Sequence, residues 1–357
     1  MTGFAIEEVA VPRPPDSVDA ADFAATVEVH NAVEADSYGT DELGYTAAEV
    51  LPGWLDRDYE PKRLFAARVD GRIVARAVYE TLASDPSRTA WLELQVLPDF
   101  RRRGIGSALA DLLESIAQGE SRSKLIVYAA SRQNPGERLP APTGFGAVPR
   151  DNAEVRFLLG RGYTLEQVER GSRLALPVDE HVLRERYERA AAAAGDDYAV
   201  HSWTDRAPEH WREDVAALHT RMSMDAPSAG LQEPEELWTA ERILDDERRE
   251  ANSPRTLLVT AVEHLPTGRL AGFTELVAPA ELGRPVEQDD TLVLKEHRGH
   301  RLGMLLKVAN IVKLQREKPG HPAIITFNAE ENRHMLDVNE AVGFVPIGYE
   351  GAWKKLL

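Results

Sequence analysis

The chain is 357 residues long, room for two domains that each bury a core of their own. Its 59 acidic and 42 basic residues leave a net charge of −17, which argues against nucleic acid or an anionic membrane surface as the main partner and suits a cationic one. Without cysteine there are no disulfides or thiolate sites; with no apolar run near the ~20 residues of a membrane span and no basic-then-apolar leader, the expected location is the cytoplasm.

In chain order, the first informative element is a hairpin, Asp70-Gly71-Arg72 between two strand-like runs. A further strand-like run, Trp91 to Leu97, feeds the turn Arg101-Arg102-Arg103-Gly104-Ile105-Gly106-Ser107. From there Ile105, Leu109, Leu112, Leu113 and Ile116 fall on one helical face. Such a strand, turn and helix suit a pyrophosphate. The first helical turn offers unpaired N–H groups and the positive end of the macrodipole, and glycines let the backbone come close. No Gly-Lys-Ser/Thr follows, so this is not a Walker loop, and the glycine spacing is not that of a dinucleotide fold. Ser131 to Arg150, with four prolines and three glycines, reads as a surface loop near the acceptor site. Asp179 to Ala194, followed by Gly195, reads as a charged, Ala-rich helix with a glycine stop.

The second half repeats the first. Thr291 to Gly303 aligns without gaps on Leu94 to Gly106, placing Val293 on Val96, Arg298 on Arg101 and Gly303 on Gly106. An apolar face follows through Leu302, Leu305, Leu306, Ala309 and Val312. Thr267-Gly268-Arg269 echoes the hairpin, and Ala341-Val342-Gly343-Phe344 echoes the turn Leu159 to Tyr163. Arg101 to Gly162 spans 61 residues and Arg298 to Gly343 spans 45, so the first half holds 16 more, assigned to residues 131–150.

The order of charge, glycine and helix resembles the acetyl-CoA loop of the GNAT N-acetyltransferase superfamily. That pattern, Gln/Arg-x-x-Gly-x-Gly/Ala after the fourth strand, is met by Arg101, Gly104 and Gly106. The resemblance covers nearly the whole chain and is to actinobacterial tandem GNAT proteins, distantly to mycothiol synthase. It implies a mixed α/β (α+β) fold of two tandem GNAT domains, residues 1–177 and 198–357, with a helical linker at 178–197. In each, a mostly antiparallel sheet would hold one parallel pair that splays at the cofactor. The implied cofactor is acetyl-CoA. Its site would be Val96, Leu97, Arg101, Arg102, Arg103, Gly104, Ile105, Gly106 and Ser107 in the first domain. In the second it would be Val293, Leu294, Arg298, Gly299, His300, Arg301, Leu302, Gly303, Asn328 and Asn332. The implied activity is direct acetyl transfer to a small-molecule amine by a monomer or homodimer.

Glu93 and Asp290, three residues before the matched valines, stand where many GNAT enzymes keep a catalytic base. A solvent-facing strand residue is the other reading, and Asp289, on the opposite strand face, competes with Asp290. The Tyr that family members place four residues before the closing glycine is absent: Leu158 and Asn339 stand there. The first domain has Asp151 where an Asn reaches the cofactor, whereas the second keeps Asn332 but has Arg301 for the first loop glycine. Trp54, Tyr59, Trp203, Trp211 and Trp238 suit either core packing or an acceptor pocket. Arg221 to Pro227, with Met222 and Met224 near Asp225, is a pocket-lining loop or a helix end. The histidines show no metal-ligand spacing, so no metal is expected. The missing tyrosines keep open a non-catalytic acyl-CoA sensor or scaffold, or one catalytic and one structural domain.

Overall fold

The computed structural model describes residues 3–13, 20–55 and 58–357. The first half runs β1 (Ala5–Glu8), α1 (Ala20–Tyr38), α2 (Ala47–Leu55), β2 (Lys62–Val69), β3 (Arg72–Glu80), β4 (Thr89–Val96), α3 (Ile105–Gly119), β5 (Lys124–Ala130), β6 (Arg138–Pro140), β7 (Ala147–Pro149), α4 (Ala153–Gly160) and β8 (Thr164–Ala175). The second runs α5 (Glu180–Ala194), β9 (Tyr198–Thr204), α6 (Arg212–Asp225), α7 (Ala240–Glu250), β10 (Thr256–His264), β11 (Arg269–Ala278), β12 (Val286–Val293), α8 (Leu302–Glu317), β13 (Ala323–Ala329), α9 (Arg333–Val342) and β14 (Val345–Leu356).

One mixed sheet of twelve strands crosses the molecule in the order β1-β2-β3-β4-β5-β14-β8-β13-β12-β11-β10-β9. Its pairings are antiparallel except β4 with β5 and β12 with β13. The last strand of each half crosses over: β14 pairs with β5, and β8 pairs with β13. The cores follow the exchange. Trp353 of β14 is fully buried with Leu92, Leu109 and Leu113 of the first half, while Leu174 of β8 packs with Ile311 and Ile324 of the second. Emptying a packed Trp site costs about 3–5 kcal/mol, so the first half's core depends on the second half's last strand.

The α1–α2 connection of the first half and the α6–α7 connection of the second also reach across to the other half. Arg284, after β11, bonds Glu49 of α2 at 2.8 Å and the Gly44 carbonyl at 2.5 Å. In return, Lys124 Nζ of β5 donates to the Leu231 carbonyl at 2.8 Å, and Trp91 and Tyr128 both donate to Glu233 at 3.1 Å.

Local structure departs from the sequence expectation in two places. Residues 131–150 contain the β6–β7 hairpin, a separate two-stranded sheet, instead of a plain loop. Val312 of α8 is 40% exposed, and the helix buries Val308, Ile311 and Leu314 instead. The reason is α5, whose Leu183, Ala190 and Ala194 pack on α8 and give it a second covered face. Its bounds follow local chemistry: the Asp179 carboxylate accepts from the N–H groups of His181 and Val182, and Gly195 leaves the helix at φ 81°. No helix among the described residues is long and apolar enough to cross a membrane.

Candidate functional site

The turn before α3 needs left-handed backbone twice, at Arg102 (φ 64°) and Gly104 (φ 86°). The turn before α8 needs it at the matched places, Gly299 (φ 91°) and Arg301 (φ 56°). The two loops therefore share one backbone path, with arginine and glycine exchanged between its two left-handed sites. Arg301 does not break the loop; it carries the strain that Gly104 avoids. No side chain caps α3 or α8, whereas Asp179, Thr239 and Asn332 cap α5, α7 and α9. The N–H groups of the first turns after both loops have no side-chain cap, as is also the case at α4 and α6.

The matched arginines brace these turns. Arg101 Nε donates to the Val96 carbonyl at 3.1 Å and its Nη1 to Asp36 at 2.9 Å. Arg298 does the same with the Val293 carbonyl (3.0 Å) and Asp225 (2.9 Å). Each arginine ties a strand end to the last turn of a helix, Arg101 to α1 and Arg298 to α6. Arg103 turns back onto the Asp99 carbonyl at 2.7 Å and over the Phe100 ring, while Arg102 lines the cleft described below.

Both parallel pairs open. β4 and β5 are paired only from Thr89 to Trp91, and β12 and β13 only at Val286 and Glu287. Beyond those residues the strands diverge, freeing backbone on Leu92–Val96 and its counterpart toward the loops.

A cavity of about 1590 Å³ fills the first opening and runs between the halves. Its walls include Val96, Arg101, Arg102, Gly104, Gly106 and Ser107, the diverging residues of β4 and β5, and Asn152 at the start of α4. The far wall belongs to the second half, with His219, Met222, Trp238, Glu287 and Asp290. Leu97, Arg103 and Ile105 lie outside the lining, Ile105 because it anchors α3 in the core. None of Val293, Leu294, Arg298, Gly299, His300, Arg301, Leu302, Gly303, Asn328 or Asn332 lines it. Asn332 caps α9 by accepting from Met335 N–H, and Asn328 accepts from Asn339 Nδ2 at 2.7 Å.

Glu93 lies on the α1 side of β4, its carboxylate shared between His30 Nδ1 (3.1 Å) and Arg76 Nη2 (3.0 Å). Burial alone would raise its pKa, but Arg76, His30 and Lys62 outweigh burial and hold it at about 2. His30 stacks on Tyr45 and lines the cavity. In the second half His219 lies between two carboxylates, Nε2 3.5 Å from Glu275 and Nδ1 3.6 Å from Asp290. Burial opposes its charge, yet Glu275 and Asp290 overcome it and lift the imidazole to about 10. These three residues offer ligand atoms within 4.8 Å of one another, as a cation site would, and with Glu275 beside one ring nitrogen and Asp290 beside the other they also suit an imidazolium. Asp290, not Asp289, is the acid that faces the cavity.

Other carboxylates crowd the same space. Burial, then Glu169 and Glu34, push Glu350 up to about 8, and burial also raises Glu34 and Glu287.

Sequence reasoning missed His30, His219 and Asn152. His30 stands six residues before Asp36 and His219 six before Asp225, so a repeated His-x5-Asp was the available signal. Asn152, not Asp151, begins α4 as Asn332 begins α9; α4 is two residues shorter than α9, and counting back from Gly162 lands one residue early. Asp225 does not serve a pocket, because Lys295 and Arg298 neutralise it. Of the five early aromatics only Trp238 lines the cavity; Trp54, Trp203 and Trp211 pack on cores, and Tyr59 bonds Asp245. The closing-helix positions are structural, Leu158 in the core and Asn339 on Asn328.

Residues 30–138 match the family model described as "Acetyltransferase (GNAT) family". No protein of curated function matches the sequence. Among solved structures, the chain is similar to a tandem GNAT protein from the clavulanic acid biosynthesis pathway, with 22% identity, a TM-score of 0.74 and coverage of 99% of this chain and 98% of that one. It is similar to a GCN5-related N-acetyltransferase from Sphaerobacter thermophilus at 15% identity and TM-score 0.63, covering 99% and 95%. N-myristoyltransferase from Saccharomyces cerevisiae is similar at 13% and 0.57, covering 99% and 80%.

Proposed function

This chain carries the tandem GNAT fold, with the sequence pattern of the GNAT acetyltransferase family over residues 30–138, and from that premise we propose that it transfers an acetyl group from acetyl-CoA to a small amine. The working site is the cavity of the first half. The observation that carries this reading is a single cleft lined by the uncapped start of α3, the unpaired end of β4 and the Glu93–His30 pair. We divide the chain into domains 1–177 and 198–357 joined at 178–197, each lending its last strand to the other, and place the protein in the cytoplasm.

The residues suit the donor. A Cβ on Gly104 would meet nothing within 4 Å, so that backbone is open to a diphosphate, and one on Gly106 would sit 3.7 Å from Val96. Acetyl-CoA, when bound, supplies an acetyl carbon activated as a thioester. The N–H groups of Gly106 and Ser107 would hold its diphosphate, with Arg102 beside them. A backbone N–H on the open stretch of β4 would face the thioester oxygen and the charge that develops there. Glu93 lies on the acceptor side and Asp290 across the cavity, and the excess of carboxylates favours a cationic acceptor. The second half acts as the wall of the acceptor site, since its own loop lies away from this cavity.

Calorimetry with acetyl-CoA tests the donor site: one molecule per chain, lost in Gly106→Leu, whose side chain would occupy the space beside Val96 that the diphosphate needs. Unchanged affinity in that variant overturns the assignment. Thiol release with a panel of amines then separates an enzyme from a sensor, which binds acetyl-CoA and releases nothing.

A further inference from the structure

We propose that His30 is the general base of this reaction and that Glu93 is the residue that positions it, an inference that rests on reading the first half as an acyltransferase. Glu93 is ionised and can only accept, so its 3.1 Å contact puts the imidazole proton on Nδ1. Gln95 also abuts that nitrogen: its Oε1, 3.2 Å away, accepts from the same N–H, while its Nε2, 3.0 Å away, donates to Glu34 at 3.1 Å. His30 Nε2 makes no hydrogen bond to any described residue, and the ring lies on the cavity wall stacked on Tyr45. The result is an imidazole with one nitrogen left unbonded on the cavity wall and the other held by a carboxylate.

The internal repeat supplies the comparison that isolates this property. His219 holds the matched place on α6, and Asp290 the place of Glu93. On the neighbouring strand, Ala75 pairs with Val96 and Gly272 with Val293, so Val78 corresponds to Glu275 and Arg76 to Phe273. Glu275 engages the second nitrogen of His219, whereas Val78 offers His30 nothing to bond. Arg76 instead neutralises the far oxygen of Glu93 at 3.0 Å, so the pair needs no proton on Nε2 for charge balance. One histidine is clamped as a cation and the other is left free to take a proton.

In the step itself, Nε2 removes a proton from the acceptor ammonium. The freed amine nitrogen forms a bond to the acetyl carbon, the C–S bond breaks, and CoA leaves as its thiolate. The second nitrogen-bound proton goes to the thiolate, and the imidazolium returns its proton to water.

The test uses the full chain and follows thiol release from acetyl-CoA with spermidine, tryptamine and an aminoglycoside as acceptors. His30→Gln should lower kcat by about 100-fold or more while leaving the calorimetric affinity for acetyl-CoA within twofold. Imidazole in the buffer should restore part of the rate to His30→Ala. The acid limb of the kcat/KM profile should disappear in either variant; the groups facing the ring are Glu34 on α1, Glu93 on β4, Arg76 on β3 and Tyr45 ahead of α2. Two-bond proton–nitrogen NMR should show His30 protonated on Nδ1. Turnover by the wild type that survives in His30→Gln overturns the base and leaves the transferase reading standing. Absence of thiol release from the wild type with every amine overturns that reading, and the base with it.

Discussion

Arg101 reaches from the loop before α3 to Asp36 in the last turn of α1, 2.9 Å away, while its Nε holds the Val96 carbonyl. The guanidinium that the motif would offer to phosphate fastens the strand end instead. Both partners are more than a third exposed, so the pair adds at most about 1 kcal/mol to stability. Its weight falls on geometry. Asp36→Ala should weaken acetyl-CoA binding roughly tenfold, about 1.4 kcal/mol, with little change in the unfolding midpoint. Calorimetry beside a thermal melt checks this, and a lower midpoint with unchanged affinity would make the contact merely structural.

The exchanged left-handed sites give substitutions of opposite sign at matched places. Gly104→Ala puts a Cβ on a residue at φ 86° and should cost about 1–2 kcal/mol. Arg301→Gly relieves the same conformation at φ 56° and should raise stability by up to about 1 kcal/mol, since the glycine returns part of the gain as unfolded-chain entropy. Denaturant titration of both variants reads the difference directly.

How far the sequence reached can be judged from these residues. The order Arg-Gly-helix and its repeat are local patterns, so both loops and both hairpins were legible, while the openings beside Val96 and Val293 followed only from the family resemblance. The exchange of β8 and β14 was not, because a strand pattern records which face is buried and not which neighbour it pairs with. His30 stayed hidden for a related reason. It lies 63 residues from Glu93 in the chain, and only the packing of α1 on β4 brings them to 3.1 Å. Arg301 looked like a defect because side-chain size can be read from a sequence and a loop's spare room cannot.

Lys307 is a lysine inside α8 that is 2% exposed, and burial pushes its ammonium down to about 7. The unfolded chain holds that proton up to the ordinary value of 10.5, so between about pH 7 and 10.5 the unfolded state binds more protons. Stability from this group therefore rises with pH across that window. Lys307→Met keeps the stem and drops the charge. It should stabilise the protein by about 1–4 kcal/mol at pH 7 and flatten the rise toward pH 9.5, as urea titrations at the two pH values would show.

Glu350 behaves in the opposite sense. It enters the first half's cavity on the borrowed strand β14, takes a hydrogen bond from Tyr38 at 3.1 Å, and is pushed up to about 8 by burial and then by Glu169 and Glu34. Its folded value exceeds the ordinary 4.5, so the native state keeps the proton while the unfolded chain releases it. The stability it contributes is complete below pH 4.5 and is lost as pH climbs to 8. Gln in its place still accepts from Tyr38 and carries no charge, so Glu350→Gln should gain stability at pH 8.5 and change little at pH 4.5. The same substitution removes part of the field that draws a cationic acceptor into the cavity. It should raise KM for the amine at pH 8.5, where Glu350 is ionised, more than at pH 6.5, and leave KM for acetyl-CoA unaltered at both. An equal rise at the two pH values would mean that Glu350 shapes the pocket by size and not by charge.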